Sequence, residues 1–126
     1  MDSIRQYLSA RPMSYIDFPF GNDVEVYKVK GKVYALLSCT KITALSPYQV
    51  GGWWLNLKCE PSEAIMLRDI FPAVIPGYHM NKRLWNTVII DGSIAQGEIE
   101  RMIDNSFLLV VNTLKKTDRA SVLVHL

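Results

Sequence analysis

The stretch from Ile99 to Leu114 constrains this chain more than any other. Ile99, Met102, Ile103, Ser106, Phe107, Val110, Val111 and Leu114 recur at helical spacing and form one continuous stripe, with Glu98, Arg101 and Asp104 outside it. A helix with such a stripe must lay it against a partner layer. Leu108 and Leu109 fall off the stripe, so this helix carries apolar side chains on a second side, which suits a dimer contact or a covered position.

The partner layer reads as strands. Residues 24–30 and 32–38 are rich in Val, Tyr and Leu and flank Lys30-Gly31, a hairpin signal. The alternation slips at Val26-Tyr27, as a bulge would cause, and leaves the faces of Lys28 and Lys30 open. A turn region from Lys41 to Gly52 precedes a third strand, Trp53 to Lys58. Adjacent strand residues point to opposite faces, so one of Trp53 and Trp54 is expected to be exposed or covered by a partner. Pro61 fits the first turn of a helix reaching about Phe71, with Glu63 near its positive end. Pro72 and Pro76-Gly77 break the chain, and two strands are predicted around 76–81 and 85–91. At the N-terminus, Ile4, Tyr7 and Leu8 mark a helix over 4–10 that Arg11-Pro12 ends. Tyr15 to Gly21, with Phe18 and Phe20, reads as an ordered loop; Ala120 to Leu126 reads as a further helical turn or a strand. The order helix, three strands, helix, two strands, helix implies a two-layer α+β domain, α-β(3)-α-β(2)-α, with an antiparallel sheet and its helices mainly on one face.

A length of 126 residues suits one domain over 1–126, and 49% hydrophobic with 21% charged residues describes a globular chain. Cys39 and Cys59 form no CxxC pair and read as reduced, packed thiols of a cytoplasmic protein. A Cys39–Cys59 disulfide, the alternative, needs Cα atoms within about 7 Å. The start, MDSIRQYLSARPM, lacks the apolar run of a signal peptide, and no apolar run approaches the ~20 residues of a membrane span. Net charge is +2 and both halves are nearly balanced, so a nucleic-acid role must rest on a local patch.

Catalytic patterns are missing: the chain has no GxSxG, GxxxxGK[ST] or HExxH. His79 and His125 lie far apart and, with the two cysteines, show no metal-ligand clustering, so no metal, cofactor or enzymatic activity is expected. The segment Pro76 to Val88 is different. It gathers Lys82 and Arg83, the imidazole of His79, the amides of Asn81 and Asn86, and the rings of Tyr78 and Trp85. Cations beside aromatics suit a phosphate backbone with its bases or sugars. The same segment equally suits a structural role, with Trp85 as a core anchor and Asn81 and Asn86 satisfying a tight connection. Lys28, Lys30, Lys32, Lys41 and Lys58 form a second candidate basic surface. The candidate nucleic-acid contacts are therefore Lys82, Arg83, Lys28, Lys30 and Lys58, and the candidate ligand or structural group is Tyr78, His79, Asn81, Trp85 and Asn86. Alternatives are a protein-interaction module, homodimeric or with another protein, using the sheet face or the Leu108/Leu109 side of the last helix, or an anionic-ligand binder at His79, Asn81, Lys82 and Trp85.

PGYHMNKRLWNTVIIDG and the later IDNSFLLVVNTL, with DFPFGNDVEVYKVKGKVYAL and LNLKCEPSEAIMLRD before them, resemble the MmcQ/YjbR family of small bacterial proteins. The resemblance runs from about Ile4 to Lys116, and its core is NK-x-x-W-N-T-V. It implies the α-β(3)-α-β(2)-α arrangement, similar to secretion-chaperone and frataxin-like (CyaY-like) folds, and a DNA-binding role. Lys58, Tyr78, His79, Asn81, Lys82, Trp85, Asn86 and Ser106 match recurrent positions of the family, whereas Phe107 and Leu84 replace its frequent Tyr and His.

Overall fold

The apolar stripe over residues 99–114 settles on a six-stranded antiparallel sheet. The computed structural model describes residues 1–39 and 52–126. The order is α1 (Asp2–Ser9), β1 (Ser14–Asp17), β2 (Val24–Val29), β3 (Lys32–Ser38), β4 (Trp53–Lys58), α2 (Pro61–Ile70), β5 (Val74–Pro76), β6 (Trp85–Ile90), α3 (Gln96–Val111) and α4 (Lys116–Leu123). The strands lie in the order β1-β2-β3-β4-β6-β5. Among the described residues no helix is long and apolar enough to cross a membrane. The predicted Lys41–Gly52 turn region, including Lys41, lies outside the described residues up to position 51.

Three expectations need correction. The segment expected to be a loop begins with strand β1, which pairs Ser14 with Val29 and Asp17 with Val26 at the edge of the sheet. The strand expected around 76–81 lies earlier, at Val74–Pro76, because the chain turns away at Gly77. Finally, Cys39 is exposed and only Cys59 is buried; both are free. The C-terminal segment is helical, as one of its two readings had it.

Alternation along the strands divides the sheet into two faces. Tyr27, Ala35, Leu37, Leu55, Leu57 and Val88 face the helices and share one core with Ile4, Leu8, Ile99, Met102, Ile103, Phe107, Val110 and Val111. Each fully buried side chain of that kind contributes about 1.5–3 kcal/mol relative to exposure. Tyr34 meets Phe107 edge to face at 5.1 Å and donates its hydroxyl to the Leu8 carbonyl at 2.8 Å, joining sheet, α3 and α1. Helix α2 starts on Pro61, and the Glu60 carboxylate caps it by accepting from the Ser62 and Glu63 amides, both at 3.1 Å.

The expected irregularity in the first hairpin is a register shift between Tyr27 and Lys28. Its effect extends to the next strand. The β3–β4 ladder ends at Ala35 opposite Leu57. There the fully buried Ser106 of α3 donates its hydroxyl to the Tyr34 carbonyl at 2.6 Å and accepts the Lys58 amide at 2.8 Å. One helical hydroxyl thus closes a gap between two strands.

Candidate functional site

Among the described residues, the helices leave the second face of the sheet uncovered. By the pairing register it carries Val24 of β2, Val33 and Leu36 of β3, Trp54, Asn56 and Lys58 of β4, and Trp85 and Thr87 of β6. The loop from Gly77 to Leu84 bends back over this face for a specific reason. A Cβ on Gly77 would sit 2.8 Å from the Trp85 Cβ and 2.9 Å from the Trp85 carbonyl oxygen, so glycine lets the chain pass there.

The next residues are held down by hydrogen bonds. The Tyr78 amide donates to the Thr87 hydroxyl at 2.8 Å, and the Asn56 carboxamide donates to the Tyr78 carbonyl at 3.0 Å. Thr87 donates in turn to the Asn56 carboxamide oxygen. Tyr78 meets Trp54 edge to face at 5.7 Å and lies 4.0 Å from the His79 ring. His79 adopts φ +59°, a left-handed conformation that is uncommon outside glycine. Together Phe20, Val24, Val33, Leu36, Trp54, Asn56, Tyr78, His79 and Met80 line a cavity of about 540 Å³. Of these, Tyr78 and His79 are the candidate site residues expected from the sequence. Asn56 had a local signal, a carboxamide amid apolar strand residues, but Phe20, Val33 and Met80 join the cavity only through the fold.

The rest of the 76–88 segment is largely tied into structure. The Asn81 carboxamide oxygen accepts the amides of Arg83 at 2.9 Å and Leu84 at 3.2 Å. Asn86 points to the helical face, where it is buried, accepts from Arg68 Nε at 2.7 Å and donates to the Ala64 carbonyl at 3.3 Å. Arg68 also donates to the Lys82 carbonyl, so a cation from α2 anchors this loop. The sequence offered no sign of that, since Arg68 is remote from its partners along the chain. Lys82 donates its ammonium to the Gly77 carbonyl at 2.9 Å. Trp85 is half-buried across from Lys58.

One of the two adjacent tryptophans was expected to be exposed or covered by a partner, and neither is exposed. Trp54 is buried in the cavity floor, and Trp53 is half-buried on the helical face, with the Arg5 guanidinium 4.6 Å above its ring. Arg5 also pairs with Glu25 at 2.7 Å. Burial alone would raise the Glu25 carboxyl, but the hydrogen bonds from Arg5 and Tyr27 outweigh it and hold the group below its ordinary value.

The candidate cations gather at one end of the sheet. Lys30 occupies the β2–β3 turn, Lys58 ends β4, and Arg83 precedes β6, which starts opposite Lys58. Lys30 and Arg83 are exposed and Lys58 is half-buried. Lys28 faces the open side beside Val33 and pairs with Asp17 at 2.8 Å; Lys32 instead reaches Thr113 on the helical side. Glu60 also sits at this end, its carboxylate turned into the α2 cap. Asp23 and Asp91 flank the strand termini at the opposite end. Among the described residues no cluster of His, Cys, Asp and Glu could hold a metal.

A family model described as YjbR matches residues 9–109. The chain belongs to the YjbR family. Its relatives include the uncharacterized protein YbdF of Escherichia coli O157:H7, 32% identical over 111 residues that cover 88% of this chain and 84% of YbdF. The uncharacterized protein YyaQ of Bacillus subtilis is 40% identical over 55 residues, 44% of this chain and 46% of YyaQ. Among solved structures, Deinococcus radiodurans protein DR2400, which carries a DUF419 domain, matches with a TM-score of 0.80 at 31% identity, covering 96% of this chain and 86% of that one. A Pseudomonas syringae protein matches with a TM-score of 0.76 at 28% identity, covering 86% of this chain and 96% of that one. Several of the residues on which the resemblance was read have structural contacts in this chain. Ser106 stitches two strands, and Asn81 and Asn86 hold the loop. Tyr78, His79, Lys58 and Trp85 lie at the second face and its rim.

Proposed function

We propose that this YjbR-family chain is a non-enzymatic module that binds nucleic acid through the basic end of its sheet. The observation that carries this reading is the register that sets Lys30, Lys58 and Arg83 at one end of adjoining strands, with Asp23 and Asp91 at the other. Segregation of this kind creates a local field on a molecule whose net charge is only +2. Phosphate contacts would be made by those three cations, with Lys28 and Lys82 engaged internally in the free protein. From the α-β(3)-α-β(2)-α order that remains when edge strand β1 and the last helix α4 are set aside, we infer kinship with frataxin-like and secretion-chaperone folds.

Fluorescence anisotropy with labelled single-stranded and duplex DNA at several salt concentrations tests the reading. Three phosphate contacts give a log–log salt slope of roughly −2 to −3, and Lys30→Glu or Arg83→Glu should each flatten it by about 1. Absence of binding at low salt, or indifference to both reversals, refutes it.

One observation favours a second reading, a protein-interaction surface. Met13, Tyr15, Ile16, Phe18 and Phe20 are all exposed on or just beyond edge strand β1, Phe20 at 69%. Leu108 on α3 is exposed as well. A concentration-dependent dimer in light scattering that Ile16→Lys abolishes would support this reading; a monomer at all concentrations would end it.

A further inference from the structure

The cavity on the open face has a composition that the basic end does not explain. Its volume of about 540 Å³ falls within the roughly 300–1,000 Å³ of small-molecule sites. Val24, Val33, Leu36 and Trp54 line it from the sheet, while Tyr78, His79 and Phe20 contribute further rings. Trp54 and Tyr78 meet edge to face at 5.7 Å, a geometry that aromatic rings favour, and both line the cavity. Met80 adds a polarizable thioether.

The polar groups are few and specific. Asn56 uses one N–H toward Tyr78 and one acceptor position toward Thr87. A carboxamide has two N–H donors and two lone pairs, so one of each remains. That pair suits a ring with a donor and an acceptor on its edge. His79 offers a further nitrogen, and it is held at the mouth by a left-handed backbone that histidine does not choose freely.

A charge stands next to this ring site. Lys58 lies two residues beyond Asn56 on the same strand face, about 6.8 Å along β4. It has no ion pair among the described residues. Lys28, beside the cavity residue Val33, flanks the same rim and is paired with Asp17.

We infer that this cavity is a binding site for a planar heteroaromatic ring carrying an anionic group, with the ring packed by Trp54 and Tyr78, its edge read by Asn56, and the anion met by Lys58. The inference stands on the cavity and not on the nucleic-acid reading. A nucleobase with its phosphate in a single strand is one source of such a ligand, and a free aromatic acid or nucleotide is another.

The test uses the full ¹⁵N-labelled chain titrated with adenosine monophosphate and with indole-3-acetate, and with cyclohexylacetate and inorganic phosphate as controls. Saturating shifts at the Asn56 side-chain amide, the Trp54 indole and the Tyr78 amide are expected for the two aromatic anions. Tyr78→Ala should weaken them roughly tenfold. Because that change could loosen the loop, Lys58→Gln provides an independent arm and should erase the preference for adenosine monophosphate over adenosine. Single-stranded oligonucleotides with and without bases then identify the source. Preference for the base-bearing strand supports the inference with nucleic acid as the source. Equal binding of both strands, alongside shifts from the small aromatic anions, supports it with a free molecule as the source. If cyclohexylacetate matches indole-3-acetate, or the cavity stays silent to every probe, the inference is overturned. Salt-dependent DNA binding at Lys30 and Arg83 with a silent cavity leaves the nucleic-acid reading intact, and its absence with an occupied cavity removes only that reading.

Discussion

Replacing Ser106 by alanine should destabilise this protein far more than the loss of one hydroxyl suggests. The Ser106 oxygen has two partners, the Tyr34 carbonyl at 2.6 Å and the Lys58 amide at 2.8 Å, and the residue is fully buried. Alanine leaves the carbonyl of one strand and the amide of another without partners in a dry site. Each buried, unsatisfied backbone group costs about 1–3 kcal/mol. A loss of about 3 kcal/mol overall is therefore expected, with partial closure of the strands offsetting some of the sum. With an unfolding entropy of roughly 2.1 cal/mol/K per residue, this lowers the thermal midpoint by roughly 11 °C. Ser121 is the internal reference. Its hydroxyl donates to the Asp118 carbonyl at 2.8 Å within α4, so Ser121→Ala should cost under about 1 kcal/mol. Urea melts of both variants, followed by circular dichroism, decide the matter. A Ser106→Ala loss no larger than that of Ser121→Ala would refute the stitching argument. DNA binding should stay unchanged in folded Ser106→Ala, because the residue lies beneath the sheet and not on its open face.

Other outcomes follow from single features. Lys30 has φ +50° ahead of Gly31 at +83°, so Lys30→Asn should raise stability by about 0.5 kcal/mol in urea melts while weakening any DNA binding. Gly77→Ala drives a Cβ against Trp85 and should destabilise by about 1–3 kcal/mol with a change in tryptophan emission. Burial, with Glu63 and Glu60 adding to it, pushes the Cys59 thiol up to about 11. Ellman's reagent at pH 8 should therefore count one fast thiol, Cys39, and a second only in urea. Glu25 is held below its ordinary value when folded, so its stabilising effect is complete above the usual glutamate pKa of about 4.3 and is lost as pH falls through the lowered value. Acid titration of Glu25→Gln should show a flatter loss of stability in that range than wild type.

Local pattern was enough to specify much of this molecule. The Ile99–Leu114 stripe, the Lys30-Gly31 turn and the Pro61 helix start were legible because spacing, turn chemistry and capping act over a few residues. The bulge in the first hairpin was visible as a slip in alternation. Strand β1 was missed because Ser14–Asp17 is short and its apolar residues stay exposed, so it carries no buried alternation. Trp53 and Trp54 misled for a related reason. Adjacent rings must face opposite ways, but a sequence does not say that Arg5 covers one and Tyr78 the other.

For the candidate site, the sequence by itself determined an inventory: cations, amides and rings crowded into Pro76–Val88, and lysines on the first hairpin. Only the tertiary structure divided that inventory by role. Asn81, Asn86 and Lys82 make contacts within the fold, whereas Tyr78 and His79 join Phe20, Val33 and Asn56 around a cavity. The physical reason is that a hydrogen bond or a cavity wall depends on which chain segments meet in space. That depends on strand order and on the register that aligns Lys58 with Trp85.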